Sequence, residues 1–334
     1  MSWAEFKVLK DNIDAGIVSL PTLIIKDTQG IMQGKTLTIT DENEYFTHQV
    51  VFPQGETVMV VTLEYMCEWE VSFDNSGNTV RLTATVDKVG GVLLDTLAVT
   101  SWSNGTDAMI SQMVSQADAG EIDLSDYWHV GDEREVTLSA MSATGVGESH
   151  VEQTVSFVLM NVGGKTLTTA TESGRTTCSF IVGMKDCLNE YGYINSTATN
   201  VGGWTSCARR TWCNNVFKNA IPSTLLPIFK QFQNKTSAGG GSSTINTDND
   251  WFSLPSEIEV HNSTTKTYAG EGSQFEWYET AANRIKKANG SDYYWWGRSP
   301  YKQGSGDFVD THLNGSVDYP NAAATIGISP FGVI

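Results

Sequence analysis

Basic residues are scarce in this chain: 21 Lys and Arg stand against 38 Asp and Glu, a net charge of −17. Without a cationic stripe to neutralise phosphates, nucleic acid is not an expected partner. The deficit is uneven. Residues 1–130 hold six basic and nineteen acidic side chains, whereas residues 131–334 hold fifteen and nineteen. An acidic front half favours solubility and repels like-charged surfaces. No apolar run approaches the roughly 20 residues a membrane-spanning helix needs. Met1-Ser2-Trp3-Ala4-Glu5-Phe6-Lys7-Val8 has neither the basic start nor the apolar run of a secretory leader. The expectation is synthesis in the cytoplasm without membrane insertion. Cysteines number five, at 67, 178, 187, 207 and 213, and neither they nor the five histidines form a C-x-x-C or H-x-x-x-H pair. No zinc site or cofactor is therefore expected. The cysteines read as reduced, small apolar residues, with a Cys207–Cys213 bridge as the alternative.

Residues 1–30 mix apolar and charged positions and are compatible with a short helix and strand or with an attachment arm. From 31 to 100 the apolar period is close to two. Lys35–Thr40, Glu56–Leu63, Cys67–Phe73 and Thr79–Val86 read as strands, and Asp74-Asn75-Ser76-Gly77-Asn78 is a turn. Such spacing predicts an all-β immunoglobulin-like sandwich with Trp69 as a core anchor and no inter-sheet disulfide. Residues 101–125 predict a linking helix, capped by Thr106 or Asp107, striped by Met109, Ile110, Met113, Val114 and Ala117, and stopped by Gly120.

A second domain is expected over 126–334. Strands are predicted at Arg134–Leu138 and Val151–Met160, and an amphipathic helix at Ser206–Ala220. A second helix is expected from Ile221 through Phe232, an exposed loop over 234–249, and a strand at Trp251–Pro255. The end of the chain is the most informative stretch. Tyr293-Tyr294-Trp295-Trp296 runs into some twenty small and polar residues, a composition that suits a rigid apolar floor under a surface of short, varied side chains. The two tryptophans are either both core or, by strand alternation, one buried and one exposed.

The ordered motifs Tyr127-Trp128-His129-Val130-Gly131-Asp132, Gly202-Gly203-Trp204, Arg209-Arg210-Thr211-Trp212-Cys213-Asn214, Phe252-Ser253-Leu254-Pro255-Ser256-Glu257, Trp295-Trp296-Gly297-Arg298-Ser299-Pro300 and Gly327-Ile328-Ser329-Pro330-Phe331 resemble a domain family of phages and prophages of gut Firmicutes. That family looks like a branch of the C-type-lectin/formylglycine-generating-enzyme fold. The resemblance spans roughly 125–334. It implies an α+β C-type-lectin-like domain with two helices beside a twisted, mostly antiparallel sheet and a ligand face on the last strands and loops. The reactive cysteine pair of the enzymatic members is missing, since no cysteine follows Cys213. The calcium motifs of lectins are absent too, and Asp248-Asn249-Asp250-Trp251 is only a faint echo. No serine–histidine–acid set is visible. Glu257 and Glu259, two apart, make a poor hydrolytic pair. The chain is not expected to be an enzyme.

A second resemblance is to targets of diversity-generating retroelements. Gly297, Gln303, Gly304, Ser305, Asp307, Asp310, His312, Asn314 and Asp318 interleave with Phe308, Leu313, Gly315, Val317 and Gly327. This fits diversified contacts on a fixed frame, and equally an ordinary polar strand. The resulting expectation is a virion surface protein, either a tail or baseplate receptor-binding protein or a head fibre, binding a host-surface or mucosal glycan or protein. Tyr293, Trp296 and Tyr301 would supply stacking platforms, and Tyr319 a further contact. Gly297, Gln303, Ser305, Asp307, Asp310, His312, Asn314 and Asp318 would complete the contact surface. Other virion proteins would hold the N-terminal region, and the virion setting implies a homotrimer. The alternative is a purely structural capsid or tail component without ligand.

Overall fold

The computed structural model describes residues 22–27, 30–41, 47–62, 68–75, 78–85, 93–95 and 100–334. Of the arm expected over residues 1–30, residues 1–21, 28 and 29 lie outside them, as do Cys67 and the Trp69 side chain, while residues 22–26 form a strand of the first unit rather than part of an arm. The chain divides into two compact units, Met1–Met113 and Val114–Ile334.

The first unit holds β1 (Thr22–Lys26), β2 (Thr36–Asp41), β3 (Thr47–Val51), β4 (Val58–Thr62), β5 (Glu68–Asn75), β6 (Asn78–Thr85) and β7 (Leu93–Asp95), of which β2, β4, β5 and β6 are the four predicted strands. They form two sheets, ordered β4-β1-β7 and β3-β2-β5-β6. The β5–β6 hairpin closes with Asn75 opposite Asn78. Alternate residues Leu23 and Ile25, Leu37 and Ile39, and Val71 and Phe73 from both sheets meet in one buried core with Phe52 and Met109, as one-sided burial of a pleated strand requires. Helix α1 (Asp107–Ala119) follows, and the division between units falls within it. The Thr106 hydroxyl accepts from Met109 N at 3.3 Å. At the other end Gly120, at φ +80°, and Glu121 donate to Ala117 O and Gln116 O, the paired bonds of a left-handed helix stop.

The second unit is β-rich with few, short helices. Its largest sheet holds β8 (Glu133–Leu138), β9 (Gln153–Val162), β10 (Phe180–Met184) and, at the end of the chain, β18 (Phe331–Val333), in the order β18-β10-β9-β8. The expected helix at 206–220 is present in pieces: α2 (Gly203–Ser206), α3 (Ala208–Trp212), a π turn (Cys213–Phe217) and α4 (Lys218–Ala220). Three expectations fail next. Only one 3₁₀ turn, Leu226–Ile228, forms where a second helix was predicted, because Pro222 and Pro227 remove the donors a helix needs. The predicted loop at 234–249 is a hairpin, β11 (Phe232–Gly239) with β12 (Ser242–Asp250). The predicted strand at 251–255 reduces to a bridge, Ser253 with Phe331. Then come α5 (Glu257–His261), the hairpin β13 (Lys286–Ala288) with β14 (Ser291–Tyr293), and the sheet β15 (Trp295–Pro300), β16 (Phe308–Thr311) and β17 (Val317–Asp318). Among the described residues no helix is long and apolar enough to cross a membrane.

Both tryptophans of β15 are fully buried. Trp295 Nε1 donates to Arg284 O at 2.9 Å and Trp296 Nε1 to Gly192 O at 2.8 Å. Alternation does not expose a ring here because chain covers both faces of this strand.

Cys178, Cys187, Cys207 and Cys213 are buried and free. No Cys207–Cys213 bridge forms. Cys207 instead sits before α3, its sulfur accepting from Arg210 N at 3.3 Å, and burial pushes its thiol up to about 12.

Candidate functional site

Strand β15 sorts the candidate residues. From Tyr294 to Tyr301 the chain advances seven residues, about 23 Å at strand rise. The aromatic side chains therefore gather in two places rather than one. At the start of β15, Tyr293 stacks on Tyr191 with centroids 4.2 Å apart and planes 9° apart, and Tyr294 meets the edge of His312 at 4.3 Å. At its end, Tyr301 stacks on Tyr319 at 3.8 Å and 12°. With one face of Tyr319 taken by Tyr301, the Lys266 ammonium, 4.4 Å from the ring centroid, covers the other.

The second cluster stands on loops held from beneath. Asn200 is completely buried. Its amide nitrogen donates to Tyr301 O at 3.2 Å, Gly304 O at 2.9 Å and Asp307 O at 2.7 Å, and its carbonyl accepts from Gly240 N at 2.8 Å. Its backbone N–H reaches Ser305 O at 2.7 Å. One side chain thus fixes both the 301–307 loop and the tip of the β11–β12 hairpin. The tip comes so close that a Cβ on Gly239, at φ +69°, would overlap the Asn200 carbonyl. Lys266 is placed by Glu257, a buried carboxylate accepting from Thr265 Oγ1 at 2.8 Å, Lys266 N at 3.0 Å and Thr267 N at 2.7 Å. Lys302 N donates to Lys266 O at 2.9 Å, and the Tyr268 hydroxyl donates to Gly241 O at 2.7 Å. Three loops are thereby tied into one frame.

Of the expected contact residues, Gln303 and Ser305 are exposed and Tyr301, Asp307 and Tyr319 half-buried at this frame. The Gln303 side-chain oxygen accepts from the Tyr301 hydroxyl at 2.9 Å. Asp318, exposed, accepts from Tyr319 N at 2.9 Å. His312 and Asn314 belong to the other end, where the Asn314 oxygen accepts from Ser316 N at 3.1 Å and closes a turn.

Trp296, Gly297 and Asp310 are not surface residues. Trp296 faces Gly192, as above. Gly297 is buried where β15 slips register against β16, and a Cβ there would stand 3.1 Å from Pro255 O and 3.2 Å from Val309 O. Asp310 is 2% exposed, and one of its carboxylate oxygens has no partner. Burial first, then the Asp318 charge on the neighbouring strand, pushes its carboxyl up to about 7. An acid whose folded pKa exceeds its unfolded value of about 3.9 binds its proton more tightly in the fold. The contribution of this group to stability is then greatest below about pH 4 and declines as pH rises to about 7. Asp310→Asn should raise the melting temperature at pH 8 and leave it nearly unchanged at pH 4. Thermal melts at the two pH values check this, and a lower melting temperature at pH 8 would refute it.

Beneath the frame lies a fully buried ionic cluster. Glu259 receives Arg298 through both guanidinium nitrogens and Lys165 through its ammonium. Burial alone would lift the Glu259 carboxyl, but Arg298 and Lys165 outweigh it and hold it below the ordinary glutamate value. Glu259 also completes a capping box on α5 with Ser256. Glu257 and Glu259 are therefore spent on loop placement and charge pairing. Asp250 is likewise occupied. Its oxygens accept from Trp204 Nε1 at 2.8 Å, Arg210 Nε at 2.7 Å, Asn234 Nδ2 at 3.0 Å and Asn214 Nδ2 at 3.1 Å, leaving no lone pair for a calcium ion. Among the described residues no three His, Cys, Asp or Glu side chains are grouped to hold a metal.

Residues 181–331 match the domain family described as a domain of unknown function (DUF6273). No curated protein and no solved structure matches the chain. The matched domain contains Asn200, Glu257, Lys266 and both ring clusters, whereas β8, β9 and Lys165 precede it. Asn200, Glu257 and Lys266 are the site residues sequence reasoning missed. The nearest signals were the Gly202-Gly203 pair following Asn200 and the polar run from Asn262 to Thr267.

Proposed function

We propose that the second unit is a C-type-lectin-like binding domain whose ligand face is the Tyr301–Tyr319 shelf, and that the first unit, an immunoglobulin-like sandwich, carries it on a virion surface. The carrying observation is the stacked, half-exposed ring pair backed by Lys266 on a loop that buried Asn200 holds rigid. Rings of this kind offer an apolar face beside a hydroxyl. Around them Gln303, Ser305 and Asp307 supply donors and acceptors of the sort that read a polyhydroxylated surface. A rigid frame keeps the ordering cost of binding low. The resemblance of the ordered motifs to those of phage proteins is what favours the particle setting. A host-surface or mucosal glycan or protein is the partner on this reading. Individual sites would be weak, and display of several copies, as in a homotrimer, raises avidity by about 10²–10⁴.

The test is glycan-array and cell-adsorption binding of the multimerised chain against a Tyr301→Ala/Tyr319→Ala double variant. Central aromatic contacts of this kind contribute about 2 kcal/mol, so binding should fall roughly thirtyfold with little change in melting temperature. Adsorption unchanged in the double variant would reject the shelf and favour a purely structural particle component.

A further inference from the structure

The first ring cluster borders a cleft that the proposed ligand face leaves unused. It has a volume of about 210 Å³ and lies between β9, the segment after β10 and the tip of the β13–β14 hairpin. Polar residues predominate in its lining, among them Gln153, Asn189 and Asn289 and one charge of each sign, Asp186 and Lys287, with Val155 and Met184 as apolar members. Asn289 connects cleft to rings. Its side-chain nitrogen donates to Asn189 O at 2.6 Å and lies 3.4 Å from the Tyr191 hydroxyl, and Tyr191 is the ring stacked on Tyr293. The walls are braced, since the Gln153 side-chain oxygen accepts from Asn189 N at 3.1 Å and the Asp186 carboxylate from Lys287 N at 2.8 Å.

We propose that this cleft is a second binding site, separate from the Tyr301–Tyr319 shelf, and that it takes a single neutral sugar ring. Size and lining chemistry lead there. The volume is below the roughly 300–1,000 Å³ of pockets that enclose drug-sized molecules, so one ring fits and an oligosaccharide would have to extend outside. Gln153 and the Asn289 nitrogen are engaged within the wall, which leaves the Asn189 amide and the Asn289 oxygen to donate and accept, a match to hydroxyl groups that do the same. An anionic ligand would ask for more than one cation, and a hydrophobic one for an apolar lining.

The experiment titrates the full chain with the methyl β-glycosides of glucose, galactose, mannose and N-acetylglucosamine, following the side-chain amide signals of Asn189 and Asn289 by NMR. At least one glycoside should shift both signals saturably at millimolar concentration. Thr154→Trp, which fills the cleft from an exposed strand position, and Asn189→Ala, read at Asn289, should each weaken that binding by about tenfold or more without lowering the melting temperature. Tyr301→Ala/Tyr319→Ala should leave it intact. No shift with any of the four glycosides would overturn the proposal, as would affinities unchanged in both cleft variants. Loss of the shifts in the shelf variant would also overturn it, by making the cleft part of the other site.

Discussion

Replacing Arg298 by Met should cost the second unit about 3–5 kcal/mol, the penalty for leaving one member of a buried ion pair uncompensated. At roughly 2–4 °C per kcal/mol for a unit of this size, the melting temperature should fall by about 10 °C. The size follows from how completely this side chain is used. Besides Glu259, its guanidinium donates to Thr236 Oγ1 at 3.0 Å, Leu254 O at 3.0 Å, Lys235 O at 3.1 Å and Glu271 O at 2.8 Å. It therefore joins the β11–β12 hairpin, the chain entering α5 and strand β15. Arg298→Lys should recover little, since an ammonium cannot reproduce the two-pronged carboxylate contact and the remaining donors. Replacing Arg298, Glu259 and Lys165 together by apolar residues should be milder than Arg298→Met alone, because neither Glu259 nor Lys165 then remains as a buried charge missing part of its pairing. Differential scanning calorimetry on the three variants decides the matter. An Arg298→Met protein melting within about 2 °C of the parent would show that the cluster is not what holds these segments together.

The same cluster explains what the sequence conceals. Period-two patterning was legible wherever the inward residues are apolar, as in β2, β5 and β9. It vanished in β11–β12, whose inward positions include Asn234, Thr236, Asp248 and Asp250. These are polar because they serve Arg298, Lys165, Arg210, Thr205 and Trp204, and a strand whose inner face is polar reads as a loop. The Gly239-Gly240-Gly241 tip between two Ser/Thr/Asn runs was the available signal of a hairpin. Tyr301 and Tyr319 could be picked out as rings in a polar stretch. Their separation from Tyr293 and His312 could not, because it depends on how far β15 runs before its register slips. Asn200 and Lys266 were invisible for a different reason. Asn200 acts on carbonyls more than 100 residues away, and Lys266 on a ring 53 positions on, and a single chain carries no record of such long-range contacts.

Asn200→Ala should do more damage to ligand binding than removal of any exposed contact residue. The substitution deletes four side-chain hydrogen bonds at once, three to the 301–307 loop and one to Gly240. Each buried group left without its partner costs about 1–3 kcal/mol. The loop lies at the surface, however, and can turn its freed carbonyls to water, so the loss in stability should settle at about 2–3 kcal/mol rather than at the sum. Binding bears the rest. Once Tyr301 O, Gly304 O and Asp307 O are released, only backbone bonds such as Asn200 N to Ser305 O and Lys302 N to Lys266 O still hold the loop, and the shelf must be reordered each time a ligand docks. Asn200→Asp separates the hydrogen bonds from the shape. It is nearly isosteric and still accepts from Gly240 N, but it sets an anion against three carbonyl oxygens, so it should be at least as damaging as Ala. Hydrogen exchange of residues 301–307 is the direct readout, with protection lost in both variants and kept in Tyr319→Ala. If Asn200→Asp instead kept the protection of the parent protein, the side-chain donors of Asn200 would not be what holds the loop, and the rigidity on which the proposed ligand face depends would have to come from the backbone bonds of Ser305 O to Asn200 N and of Lys302 N to Lys266 O.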